Sequence, residues 1–166
     1  GMGLQRQADT LDGAGLYIDN AKIAASIPRV MPKAVLSRKL ALYREHGIAP
    51  MIGGLFTELA YMQGNAAKLF DDALSIGFGA LEVSDNLISY PAGEKARLIR
   101  ACMASGLKAY AEVGRKEGAL EDDAFVADID ECLQAGATGV YLEAYELFAQ
   151  GSTRTGLIER ITRTFP

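Results

Sequence analysis

Tryptophan is absent from the 166 residues, histidine occurs once and cysteine twice. A lone histidine, His46, at the end of a predicted helix argues against a His-based triad and excludes a multi-histidine zinc site. Cys102 and Cys132 fall on predicted helices without metal-ligand spacing, so they read as reduced thiols of a cytoplasmic protein. Clusters of basic residues are lacking too, and the net charge is -4. A nucleic acid or an anionic membrane surface is therefore not an expected partner. No apolar run approaches the roughly 18 residues of a membrane span, and no charged-then-apolar leader opens the sequence. Neither a G-x-G-x-x-G fingerprint nor a Walker lysine-serine pair occurs. What remains, 49% hydrophobic and 23% charged residues, suits one globular domain over residues 1–166, with Gly1 read as a residue added ahead of Met2.

The sequence is repetitive. Gly47, Gly77, Gly106 and Gly136 each close a stretch with helical apolar spacing, at steps of 30, 29 and 30 residues, and Gly15 lies 32 before the first. Glycine suits the position past a helix end because the left-handed conformation costs it nothing. After each comes a short apolar run: "LYIDNAKIA", "IAPMIGG", "FGALEVSD", "LKAYAEVG" and "ATGVYLEAY". Between the runs, Ala66, Leu69, Ala73 and Ile76 make one helical face. Leu98, Cys102 and Met103 make a second, and Phe125, Ile129, Cys132 and Leu133 a third. Strand, loop, helix, glycine, strand is a βαβ alternation, which implies an α/β fold with a parallel sheet.

Thirty residues per unit is the size expected of a (β/α) TIM-barrel type fold, which has eight units in about 250 residues. Five to six units occur in this sequence, so the expectation is an incomplete barrel, with an open parallel sheet of the doubly wound kind as the alternative. Either arrangement leaves two strand edges exposed, which a homo-oligomer would cover.

Polar residues recur at one phase of the repeat. Lys22, Gly53, Glu82, Glu112 and Glu143 are spaced by 31, 29, 30 and 31 residues, toward the carboxyl ends of their strands. In parallel α/β folds that end carries the active site. Glu82, Glu112 and Glu143, with Asp85 just beyond the first, are candidate ligands for a hard cation. Mg²⁺ suits such a set, since it takes a few carboxylates plus water and substrate oxygens. Lys22 and the Arg115-Lys116 pair bring positive charge to the same rim, which suits a phosphorylated or carboxylated substrate. A lysine whose pKa is lowered by burial could also move a proton. Gly53-Gly54 would let the backbone approach a ligand. The opposing reading is that inward Lys and Glu only neutralise one another inside a barrel.

With these strand ends in view, the sequence resembles the phosphosulfolactate synthase family. The stretches that carry the resemblance are "YIDNAKIA", "LALYREHGI", "GGLFTELAY", "IGFGALEVSDN", "GEKARLIRACMASGLKAYAEVGRKEG" and "LQAGATGVYLEAYE". The resemblance implies an eight-stranded barrel and a lyase that adds sulfite to the methylene carbon of phosphoenolpyruvate with Mg²⁺, on the route to coenzyme M. Glu82, Asp85, Glu112 and Glu143 become the metal and polar site, Lys116 the proton donor and Lys22 the substrate-anion ligand, the two lysines forming the catalytic pair. Gly53, Gly54 and Arg115 become substrate-binding residues.

The sequence also departs from the family pattern. Lys22 leads into "IAASIP" rather than a turn with tryptophan, and the threonine of "GGLFTE" is displaced. Asn86 stands where the family has glycine, Arg115 where it has lysine, and Tyr145 where it has arginine. A tyrosine does not replace the bidentate charge of an arginine. A diverged, non-catalytic member with a binding or structural role, as in the plant heat-stress-associated branch, is therefore the second expectation.

Overall fold

The computed structural model describes residues 2–24, 26–115, 120–148 and 151–165. Five short strands, β1 (Asn20–Ile23), β2 (Ala49–Ile52), β3 (Ala80–Val83), β4 (Lys108–Val113) and β5 (Gly139–Leu142), pair in parallel in the order β1-β2-β3-β4-β5. Sequential order without reversal means that each crossover advances in the same direction. Right-handed connections then put the helices on one face of the sheet. A doubly wound sheet reverses its order at a switch point, and this one does not. The sheet is also curled, because Lys22 of the first strand brings its Nζ within 5.4 Å of the ring centre of Tyr141 on the fifth. Incomplete TIM barrel, the leading expectation, describes this half-barrel, and the open doubly wound alternative does not.

The helices are α1 (Leu4–Ala14), α2 (Ile27–Val30), α3 (Lys33–Glu45), α4 (Gly54–Met62), α5 (Ala66–Ile76), α6 (Glu94–Ala104), α7 (Asp122–Gln134), α8 (Ala144–Leu147) and α9 (Thr155–Thr164). The four repeat glycines, Gly47, Gly77, Gly106 and Gly136, have φ of 74°, 110°, 96° and 97°. That left-handed backbone turns the chain from each helix into the following strand. Gly15 departs from this pattern: its φ is -56°, and it opens a 3₁₀ turn, Gly15–Tyr17, before β1.

Strand β4 shows how the layers form. Ala109, Ala111 and Val113 are fully buried, whereas Lys108, Tyr110 and Glu112 are not. Successive side chains of a strand point to opposite faces, so the small apolar set meets the helices and the polar set looks into the concave face. Two alanines allow α6 and α7 to approach closely with Leu98, Ile99, Cys102, Phe125, Ile129 and Cys132. Met103 and Leu133, expected on the same helical faces, turn outward at 42% and 37% exposure. Each lies one residue beyond a buried cysteine, about 100° further around its helix. Strand β3 is buried on both faces, with Glu82 inside it.

Both cysteines are free. Burial pushes the thiols of Cys102 and Cys132 up to about 12. The unfolded thiol ionises first as pH rises, so this contribution to stability is whole below about pH 8.5 and disappears as pH climbs through the folded-state value. Native protein at pH 8 is therefore expected to react with a thiol-labelling reagent at a small fraction of the rate seen in denaturant. Equal rates in the two conditions would contradict this burial.

Candidate functional site at the strand ends

The tilt of the strands decides which side chains meet. Lys22 pairs in register with Met51, and Met51 with Ala80. The Lys22 side chain nevertheless reaches Glu82, two residues further along β3. Barrel strands are tilted against the axis, so level positions climb from one strand to the next. Across the following pairs Glu82 lies beside Tyr110, and Glu112 beside Tyr141. Every climb is an even number of residues, which keeps Lys22, Glu82, Tyr110, Glu112 and Tyr141 on one face.

Glu82 is 2% exposed, and a bare carboxylate there would cost several kcal/mol of lost hydration. Among the described residues, each of its carboxylate oxygens has one protein donor, which leaves a second acceptor site on each. Oε2 accepts from Lys22 Nζ at 2.7 Å and Oε1 from the Gly54 amide at 2.9 Å. Burial acts to lower the Lys22 pKa, but the hydrogen bond it donates to Glu82 and the charges of Glu82 and Glu112 outweigh it and leave the group above its ordinary value. The expectation of a lysine lowered by burial is thus corrected: Lys22 is an ammonium at neutral pH. Gly54 must be glycine because a Cβ there would lie 2.1 Å from Ser84 Oγ and 3.0 Å from Glu82 Oε1. This close approach brings the start of α4 against β3.

Around this pair lies a cavity of about 130 Å³, lined by Lys22, Gly53, Gly54, Glu82, Asn86 and Glu112, with Ala24 and Leu55. The Asn86 amide donates to Glu112 Oε2 at 2.7 Å, while its own Oδ1 is buried without a hydrogen-bond partner. On the same concave face Tyr110 stacks on Tyr141 with centroids 5.6 Å apart, and Asn20 donates to the Tyr110 hydroxyl at 3.1 Å.

The structure therefore brings Lys22, Gly53, Gly54, Glu82 and Glu112 to one cavity, and leaves other candidates elsewhere. Asp85 turns to Lys95 of α6, 2.9 Å away, which also meets Asp128 of α7 at 3.1 Å. Glu143 caps α8, its Oε1 accepting the Tyr145 amide at 3.4 Å. Arg115 is exposed, with its backbone amide held by Glu146. Lys116 lies outside the described residues. Among the described residues, no three of His, Cys, Asp and Glu gather as a cation-holding group. The expected four-carboxylate set reduces to Glu82 and Glu112, because Asp85 is drawn off by Lys95 and Glu143 by its helix.

Two carboxylates that sequence reasoning passed over hold the rim. Glu58 and Glu146 are both 0% exposed. Glu58 accepts the amides of Asn86 at 3.0 Å, Leu87 at 2.6 Å and Ile88 at 3.2 Å, and also the Ser84 hydroxyl. Glu146 accepts the amides of Arg115 and Leu120, each at 2.9 Å, and pairs with Arg154 at 3.0 Å. Each fixes the loop after a neighbouring strand. The available signal was an acid inside an otherwise apolar helical run, "LFTELAY" and "EAYELF".

A curled parallel sheet defines a (β/α)-barrel type protein, and its polar cavity lies at the carboxyl ends of the strands, where barrels of this type carry their sites. The fold matches the structure of a Burkholderia cenocepacia J2315 protein named as a phosphonomutase, with a TM-score of 0.62, 16% identity, and 96% of this chain and 70% of that one covered. A Schiff-base-forming fructose-1,6-bisphosphate aldolase matches at a TM-score of 0.61 with 10% identity, over 95% of this chain and 62% of that one. The chain belongs to the (2R)-phospho-3-sulfolactate synthase (ComA) family, whose model matches residues 1–166. It is 30% identical to the phosphosulfolactate synthase of Methanothermobacter thermautotrophicus over 150 residues, 88% of this chain and 58% of that protein. It is 21% identical to Protein HEAT-STRESS-ASSOCIATED 32 of Arabidopsis thaliana, over 92% of this chain and 63% of the plant protein. The chain thus spans about three-fifths of the length of these relatives.

Gly54→Ala is expected to displace Ser84 and Glu82 and to cost about 1–3 kcal/mol, as overpacking of a closed contact does. Urea denaturation checks this; a midpoint equal to that of the parent would contradict the close approach.

Proposed function

We propose that this chain carries a lyase site of the phosphosulfolactate synthase type, acting on a small phosphorylated or carboxylated acid. The observation that carries the reading is the cavity in which the Lys22 ammonium, Glu82 and Glu112 meet at the strand ends. The finer form of the proposal is addition of sulfite to the methylene carbon of phosphoenolpyruvate, as a step toward coenzyme M. Attack at that carbon builds negative charge on the substrate carboxylate, and the neighbouring carbon then takes a proton.

In this proposal Lys22 holds the substrate anion, since it is charged at neutral pH and lines the cavity. Gly53 and Gly54 bring backbone close to the ligand, and Arg115 adds positive charge at the rim. Lys116 is the proposed proton donor. The donor set fits Mg²⁺, which takes one or two carboxylates and leaves positions for substrate oxygens. Glu82 and Glu112 would hold it together with Asn86 Oδ1, a buried acceptor with no protein partner. Bound there, the ion would supply positive charge against the developing carboxylate charge. Asp85 and Glu143, engaged elsewhere, stay outside this set.

Small-molecule substrates are the proposed partners. A homo-oligomer in a cytoplasmic setting is part of the proposal, and the free, buried thiols suit that setting. No described helix is long and apolar enough to cross a membrane. A second reading, a non-catalytic stress-associated role, is favoured by the likeness to the plant protein and by Glu82 being neutralised internally.

The test is ³¹P NMR of the purified chain with phosphoenolpyruvate, sulfite and Mg²⁺. Formation of a phosphosulfonate product is expected. Glu112→Gln should reduce turnover by about 10²-fold or more and remove the Mg²⁺ dependence of the melting temperature. No turnover, with no melting shift for either ligand, would refute the lyase reading and favour the second.

A further inference from the structure

We propose that Glu58 is a positioning residue for the cavity and acts on it through Asn86. Glu58 does not itself line the cavity; it touches one residue that does, through the backbone amide of Asn86. It lies within α4 and is fully buried, with no lysine or arginine within ion-pair distance among the described residues. Its charge is balanced instead by the loop that leaves β3: the amides of Asn86, Leu87 and Ile88 and the Ser84 hydroxyl all point to it. A carboxylate accepting several backbone amides is a strong, directional anchor. The anchor fixes the backbone of Asn86 to one place relative to α4.

From that place the Asn86 side chain reaches Glu112 on the next strand, donating from Nδ2 to Oε2 at 2.7 Å. Because Nδ2 is committed to a carboxylate, the orientation of the amide is fixed, and Oδ1 is the atom left without a partner. The connected path is therefore Glu58, the 86–88 backbone, Asn86 and Glu112. It joins α4 to the cavity wall contributed by β4. Glu112 has no protein donor other than Asn86 among the described residues. Without the asparagine, its carboxylate is free to swing out of the cavity. The effect on ligand binding rests on the proposed function; the positioning of Glu112 does not.

Two experiments test the path. The first is a crystal structure of Glu58→Gln, whose amide would oppose a loop N–H donor with a donor of its own. Asn86 Nδ2 is expected to leave Glu112 Oε2, and retention of that bond would overturn the proposal whatever the ligand data show. The second is a double-mutant cycle on the affinity for phosphoenolpyruvate with Mg²⁺, read by calorimetry. Glu58→Gln should weaken binding about tenfold with Asn86 present, and less than about twofold in an Asn86→Gly background, where the amide clamp survives but the side chain that transmits it is gone. Equal weakening in both backgrounds would show that Glu58 acts on the fold generally and would overturn the proposal. If the parent chain binds no phosphoenolpyruvate, the proposed function fails while the crystal structure still decides the positioning. Should Glu58→Gln not fold, Glu58→Asp, which keeps the charge and shortens the reach, carries the same two measurements.

Discussion

The desolvated carboxylate of Glu82 is the constraint around which the rest of the molecule is arranged. A charge inside a strand buried on both faces is tolerable only if protein groups replace its water. One replacement is an ammonium two strands away, which requires the sheet to curl and its strands to tilt. The other is the first amide of α4, which requires glycine at position 54 so that the helix can start against β3. Curvature, strand tilt and a side-chain-free helix start thus follow from one group. The polar cavity is the space they enclose.

The same logic recurs at the rim. Loops at the carboxyl ends of barrel strands carry the ligand contacts, yet short loops have few side chains of their own to hold them. Here a buried glutamate from a neighbouring unit does so twice, Glu58 for the loop after β3 and Glu146 for the loop after β4. Arg154 balances the second, extending the support to the segment before α9. The three-way contact of Lys95 with Asp85 and Asp128 ties the β3 loop to α6 and α7 behind the sheet. The cavity wall is held from both sides by carboxylates that do not line it.

Much of this was legible in the sequence. The thirty-residue period gave the unit, the helix-ending glycines gave its phase, and the phase put Lys22, Gly53, Glu82 and Glu112 at one end of parallel strands. What the period could not show was strand order, since barrel and doubly wound sheets share the same βα alternation. Nor could it separate Glu112 from Glu143 or Asp85. All three are acids near strand ends, and only the chain fold reveals that Lys95 lies beside Asp85 and that Glu143 accepts the Tyr145 amide of α8. Glu58 escaped because its partners are backbone amides, which leave no trace in a pattern of side chains. Asn86 was visible only as a departure from glycine; its contact with Glu112 shows what the side chain does.

The central claim is that the strand-end cavity bounded by Lys22, Glu82 and Glu112 is where this chain binds its ligand. Titrating ¹⁵N-labelled protein with phosphoenolpyruvate and Mg²⁺ tests it most directly, by mapping which backbone amides shift. The account predicts shifts concentrated at Lys22, Gly53, Gly54, Glu82, Asn86 and Glu112. Shifts centred instead on the groove between α5 and α6, around Ala67, Phe70 and Ala101, would contradict it.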